Sequence, residues 1–287
     1  MKRWRAAAVP YLLILPGGLW LVIFFAIPVI VLISLSTQQG NVVDGFTQTF
    51  HFANYASAWD NYHDQFIRSL LYGGIATILC IAGGYPVAYW IAFRGGARKS
   101  TYLFLLLLPF FVSFVLRTVS WQYFLSDNGI LLSPLKSAGI LPQNFRILAT
   151  GTAVVGGLTY NYLPFMVLPI YVALERIDPR LVEAAQDLYA TRAAAFRRVV
   201  LPLSLPGLFA GVLLTFVPVA ADYVNAAILG GTGNTMIGNI IQDEFLNVQD
   251  YPTGAALSFM LMAILLIGMF SYARALGTEE VLEVAAR

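Results

Sequence analysis

Few side chains in this sequence are able to do chemistry, and most familiar chemistries fail on spacing. The two histidines, His51 and His63, share a polar stretch with no cysteine nearby; zinc needs three or four converging ligands, so both read as loop histidines. No Ser/His/Asp or Cys/His arrangement is available to build a nucleophile, and Cys80 is the single cysteine, so no intrachain disulfide forms. Gly95-Gly96-Ala97-Arg98-Lys99-Ser100 has the composition of a phosphate loop, but it lacks the Gly-x-x-x-x-Gly-Lys spacing and follows an apolar segment rather than a strand. It reads as a tight turn, and Gly230-Gly231-Thr232-Gly233-Asn234 as a glycine-rich loop. The chain is therefore expected to be non-catalytic, with no metal and no cofactor of its own. What remains is two charges inside apolar runs, Arg117 and Asp222, the second followed by Tyr223 and Asn225, and one polar, Ala-rich stretch from Asp178 to Gly207.

That stretch has the grammar of a helical hairpin. Asp178 followed by Pro179 is an N-cap with proline at the first helical position, and Leu181, Ala184, Ala185 and Leu188 then share one face. Thr191 can cap a second short helix carrying Phe196 and Val199, which Pro202 is expected to end. The small alanines allow another chain to approach closely, while Arg180, Glu183, Asp187, Arg192, Arg197 and Arg198 keep the element in water.

The elements that position these residues follow from composition. With 59% hydrophobic and 11% charged residues over 287 positions, the chain is an integral membrane protein. Windows of about 20 apolar residues, the length a bilayer core requires, fit near 11–35, 67–93, 101–124, 150–174, 207–230 and 254–275; residues 36–66 are too polar to span. Thirteen of the 17 basic residues (Lys2, Arg3, Arg5, Arg94, Arg98, Lys99, Arg176, Arg180, Arg192, Arg197, Arg198, Arg274 and Arg287) then fall on one side, the cytoplasm by the positive-inside rule. Both termini and the hairpin between the fourth and fifth spans face inward. The apolar run from Ala6 to Leu35 is too long for the h-region of a cleaved signal peptide. The net charge of +2 is accounted for by topology and points to no nucleic acid. Prolines punctuate five of the six spans, as in Gly83-Gly84-Tyr85-Pro86, Pro109, Pro164, Pro169 and Pro218. Freed backbone groups in membranes need neighbouring helices or cavity water, which suits a bundle with a path as well as ordinary packing.

Counted along their spans, Arg117 and Asp222 lie about 16 and about 15 residues from the cytoplasmic end, so at 1.5 Å per residue both are expected roughly 22–24 Å above that boundary. A lipid-facing charge at a helix centre costs about 2.5–3.5 kcal/mol, so both must face protein or a cavity. Either they pair with each other or with another subunit, or Asp222 lines a substrate path with Tyr223 and Asn225 adding hydrogen bonds or cation–π contact.

Glu183-Ala184-Ala185, followed by Leu201-Pro202 and Pro206-Gly207 between two spans, resembles the EAA signature of the permease subunits of type I ABC importers. One position departs: Tyr189 stands where the family carries glycine, which would permit a sharp turn, and an altered bend is expected there. Gly84-Tyr85-Pro86-Val87-Ala88-Tyr89, Leu163 to Tyr171, Asp222-Tyr223-Val224 through Gly230-Gly231, Met236 to Ile241 and Phe245-Leu246-Asn247 are similar to the spermidine/putrescine branch, in its B-type subunit. The resemblance implies an all-α membrane protein with the six-helix ABC type-1 permease fold, in the bacterial cytoplasmic (inner) membrane. It implies a first transmembrane helix and external segment over 1–65, a permease core over 66–275 with a coupling hairpin at 176–206, and a cytoplasmic tail at 276–287. The implied partners are a homologous second permease subunit, two ABC ATPases carrying ATP and Mg²⁺, an extracytoplasmic substrate-binding protein and membrane lipid, and the implied cargo is a polyamine. Glu183, Ala184, Ala185 and Tyr189 would then couple to the ATPase. Related permeases carry ferric iron, sulfate, thiamine or phosphonate. A secondary transporter or channel would instead show inverted repeats, and no clear internal repeat is present.

Overall fold

The computed structural model describes residues 13–275; the basic residues Lys2, Arg3, Arg5 and Arg287, the tail 276–287 and the two termini lie outside the described residues. Helices dominate because the apolar runs have no other way to satisfy their backbone in a membrane. They are α1 (Leu13–Ser36), α2 (Ala53–Arg94), α3 (Lys99–Leu107), α4 (Phe114–Leu125), α5 (Leu132–Ser137), α6 (Gly151–Glu175), α7 (Pro179–Asp187), α8 (Arg192–Ala220), α9 (Val224–Leu229), α10 (Ile237–Asp243) and α11 (Tyr251–Ala275). Five helices, α1, α2, α6, α8 and α11, are each long and apolar enough to cross a membrane.

The third expected span departs from expectation. Residues 101–124 do not form one helix: Gly96–Phe111 and Phe114–Leu125 meet at 88°. Pro109 tightens the first segment into a 3₁₀ turn at Leu108–Phe111, and Val112 and Ser113 are then extended, with ψ of 140° and 138°. The fifth span also shifts, from the expected 207–230 to Arg192–Ala220. Pro202 does not end a helix there. A π-turn at Phe196–Val200 precedes it, with the Leu201 N–H bonded to the Phe196 carbonyl, and this wider turn takes up the proline ring without a break.

The described residues form two compact units. One comprises residues up to 63 together with 240–263. In it a two-stranded antiparallel hairpin, β1 (Gln38–Asn41) and β2 (Gly45–Gln48), follows α1. Asn54 ties the start of α2 to the Ser36 and Gln38 carbonyls at 3.1 and 2.9 Å. None of the apolar window of α1 is buried in this chain, as suits a helix whose neighbours are lipid or other subunits.

The other unit, residues 64–239 and from 264 onward, carries every residue singled out above as a site candidate. Its core is the contact of α6 with α8, which glycine makes possible: a Cβ on Gly207 would meet the Pro169 carbonyl oxygen at 2.5 Å, and one on Gly211 the Met166 sulfur at 2.8 Å. Beside this crossing the Tyr85 hydroxyl of α2 shares a 2.7 Å hydrogen bond with buried Ser204 of α8. At one end of the unit, Lys99 reaches Glu175 at 2.9 Å. In the loop after α4, Asp127 pairs with Lys136 at 2.8 Å and Arg146 at 3.1 Å; its hydrogen bond from Lys136, above all, holds its carboxyl below the usual carboxylate range.

Candidate functional site

Asp222 falls where α8 stops. Ala221 ends the helix and the chain is irregular through Tyr223 before α9 begins, so Asp222 stands in a break between helices rather than inside a span. With the 88° bend before Arg117, this removes the basis for a shared depth counted along straight helices.

The carboxylate of Asp222, only 6% exposed, is fully engaged. One oxygen accepts the Asn225 backbone N–H at 2.7 Å; the other accepts the Asn225 side-chain amide at 3.1 Å and the Tyr162 hydroxyl at 3.0 Å. The same Asn225 accepts from the Asn161 amide at 3.0 Å, which also reaches the Thr118 hydroxyl at 3.2 Å. A buried chain thus runs Thr118–Asn161–Asn225–Asp222–Tyr162 and stitches α4, α6 and α9 together around the break. Packing there is tight, since a Cβ on Gly157 would meet the Asn225 Oδ1 at 2.8 Å. Each member of such a network is costly to leave unpaired in a low dielectric.

Arg117 lies close by without joining the chain. Its guanidinium carbon sits 4.5 Å from the Phe110 ring centre and 5.7 Å from that of Phe114, and Phe114 packs edge-on to Tyr162 at 6.0 Å. Among the described residues no ion pair joins Arg117 to Asp222, and the buried Nε of Arg117 has no hydrogen-bond partner. In front of it lies an open groove of about 370 Å³ between the α3–α4 bend and α6, with Pro109, Trp121 and Tyr160 among its walls. Tyr223 is 44% exposed, and its carbonyl accepts from Asn239 at 2.7 Å.

The hairpin forms a second site. Asp178 caps α7 by accepting the Arg180 N–H at 2.9 Å, and Thr191 caps the next helix by accepting the Ala194 N–H at 3.3 Å. The inner side of the hairpin rests on the α2–α6 core through Val182 and Phe196, Phe196 lying edge-on to Tyr85 and Tyr89 at 5.7 Å. On the opposite face Leu181 is 48% and Leu188 82% exposed among the described residues; Glu183 and Ala184 are exposed and Ala185 half-buried.

Tyr189 makes the turn that glycine would make. Its φ is +63°, with the Tyr189 N–H on the Gln186 carbonyl at 2.9 Å and the Ala190 N–H on that of Ala185 at 3.1 Å, the two bonds of a Schellman cap. A left-handed non-glycine residue costs about 1–2 kcal/mol, and this side chain, 98% exposed, recovers none of it by packing within the chain. Tyr189→Val, β-branched in the same conformation, is expected to speed amide exchange at Leu188–Ala190 about tenfold, matching about 1.4 kcal/mol. Tyr189→Gly is expected to slow it slightly, because relieved strain is partly offset by unfolded-chain entropy.

Thr118, Asn161 and Tyr162 were not singled out by sequence. Asn161, a polar residue amid the apolar run of α6, was the available signal.

With this geometry in hand, residues 84–275 match the family described as binding-protein-dependent transport system inner membrane component. The chain belongs to that family: it is a multi-pass inner-membrane permease subunit of an ABC importer. It is 39% identical over 259 residues to the spermidine/putrescine transport system permease protein PotB of Haemophilus influenzae, covering 89% of this chain and 90% of that protein. To Escherichia coli PotB it is 36% identical over 257 residues, covering 89% and 94%. The inner membrane ABC transporter permease protein YdcU of Escherichia coli is 30% identical over 235 residues, covering 77% and 74%. Among solved structures, a chain of a bacterial ABC transporter involved in import of the acidic polysaccharide alginate shares the fold with a TM-score of 0.70 at 18% identity, covering 96% of this chain and 98% of that one. The MetNI methionine ABC transporter, in an inward-facing conformation, follows at 0.53 and 20%, covering 77% and 94%.

Proposed function

We propose that this permease carries polyamines, spermidine or putrescine, inward across the cytoplasmic membrane. The observation that carries this reading is the similarity to PotB along nearly the whole of both chains, at 39% identity. The fold does not decide cargo, because the same fold serves an alginate importer. In this reading a second, homologous permease subunit completes the path, two ATPases bind ATP and Mg²⁺, and an extracytoplasmic binding protein delivers the cargo. One ATPase grips the unpartnered face of α7, contacting Glu183, Ala184, Ala185 and the tip at Tyr189. ATP-driven closure then moves the hairpin as a rigid body, and its packing onto the α2–α6 core passes that motion to the spans.

The path side chains are assigned to the α8–α9 break. Tyr223, half-exposed there, offers a ring face to an ammonium group, and Asp222 behind it supplies negative potential while its hydrogen bonds hold the break in shape. Reconstitution of the chain with its ATPase, partner permease and binding protein in proteoliposomes tests the reading. Saturable uptake of labelled spermidine, dependent on ATP and competed by putrescine, is expected. Uptake driven by an ion gradient without the ATPase, or uptake competed by ferric iron, thiamine, sulfate or phosphonate but not by putrescine, refutes it.

A further inference from the structure

We infer that Arg117 receives a carboxylate from the second membrane-spanning subunit, and that the groove before it is the wall of this chain that meets that subunit. The inference rests on the two-subunit reading above. Arg117 is 8% exposed, yet its guanidinium makes no hydrogen bond and no ion pair among the described residues. Phe110 and Phe114 lie against it through their ring faces, a contact that accepts none of its N–H groups as an oxygen would and leaves it suited to a planar, bidentate acceptor. The acid nearest to hand cannot supply it. Both oxygens of Asp222 are held by Asn225 and Tyr162, and among the described residues no other carboxylate pairs with the guanidinium, which leaves the second subunit as the source of the counter-charge.

The groove walls narrow the choice of partner. Pro109, Val112, Trp121, Phe124 and Tyr160 make them largely apolar, so an entering charge is desolvated, as at the core of a protein interface. A polyammonium cargo is repelled by the guanidinium. A lipid phosphate is the other anionic source. However, Tyr160 lies nine residues along α6 from Gly151, the outer end by the distribution of basic residues. That places it about 14 Å along the axis, within a hydrocarbon layer about 30 Å thick and below the headgroups. A carboxylate on a transmembrane helix reaches that level without deforming the bilayer. Exposed Leu116 and Val119 extend an apolar surface along α4.

The test places a photo-crosslinking amino acid, p-benzoylphenylalanine, at Ser120, which lines the groove, in the complete transporter in its membrane. Because Arg117 stays intact, the outcome does not depend on a variant that fails to fold. A crosslink to the second permease subunit is expected, mapping within one helical turn of an Asp or Glu. Arg117→Glu is then expected to lower co-purification of that subunit about tenfold or more, and a Lys at the mapped acid to restore it. Crosslinking to lipid or to the binding protein alone overturns the inference, as does undiminished co-purification with Arg117→Glu. If the wild-type chain brings down no second permease at all, the two-subunit reading falls, and the inference with it.

Discussion

Asp222→Ala is expected to abolish uptake and to lower the stability of the permease together. The substitution leaves three donors without their acceptor, the Asn225 N–H, the Asn225 amide and the Tyr162 hydroxyl, in a site where Asp222 itself is 6% exposed. Each buried group left unpaired costs about 1–3 kcal/mol, so a loss of several kcal/mol follows unless water enters the cavity. Asp222→Asn separates the two roles. Its oxygen can keep the Asn225 N–H, and the Tyr162 hydroxyl can rotate to accept from the new amide, leaving the introduced amide and that of Asn225 to compete. A smaller loss of stability, about 1–2 kcal/mol, is expected from one lost charge-assisted bond. Uptake should fall far more than that loss explains, because the negative potential behind Tyr223 is gone. Thermal unfolding of the purified complex, set beside labelled-polyamine uptake, makes the comparison. Wild-type uptake by a folded Asp222→Asn permease removes the carboxylate from the path and leaves it a purely structural part of the break.

Hydropathy located the apolar segments because a bilayer imposes one length and one polarity on each. It could not place the breaks. Proline is a poor guide here: Pro164, Pro169, Pro206 and Pro218 all lie within continuous helices, and Pro202 is absorbed by a π-turn, yet the chain bends by 88° a few residues after Pro109. What differs is tertiary. The α4 segment is held at its angle by contacts such as the Thr118 hydrogen bond to Asn161, between residues 43 positions apart. The partners of Asp222 were illegible for the same reason, since Tyr162 lies 60 positions away. The hairpin was legible almost residue by residue, because caps are local: Asp178, Pro179 and Thr191 do in the structure what their order implies. Tyr189 is the instructive case. The family pattern marked it as the wrong residue for a turn, and the chain makes the turn regardless. The two Schellman bonds and the docking of Val182 fix the backbone, leaving Tyr189 to bear the strain.

Glu183→Lys is expected to leave the permease folded and inserted while uncoupling ATP hydrolysis from uptake. Glu183 is exposed and no hydrogen bond or ion pair of its side chain occurs among the described residues, so within this chain the substitution breaks nothing and lysine is an equally good helix former. Its neighbours raise the stakes. Arg180 and Arg192 already make the hairpin basic, and reversing one of its few acids adds two units of positive charge to the exposed face of α7 beside Ala184. If that face seats in an ATPase groove, a carboxylate there is a specific contact, and truncating one member of a desolvated charge pair costs about 2–5 kcal/mol. Inverting the charge costs at least as much, which corresponds to a loss of docking of about 30-fold or more. The readouts are uptake and ATP turnover measured on the same vesicles. Uptake should fall close to background while the membrane level and melting temperature of the permease stay at wild-type values. Glu183→Gln, which keeps shape and loses only charge, should fall between the two. Full transport by Glu183→Lys in vesicles would overturn the assignment of Glu183 to ATPase coupling.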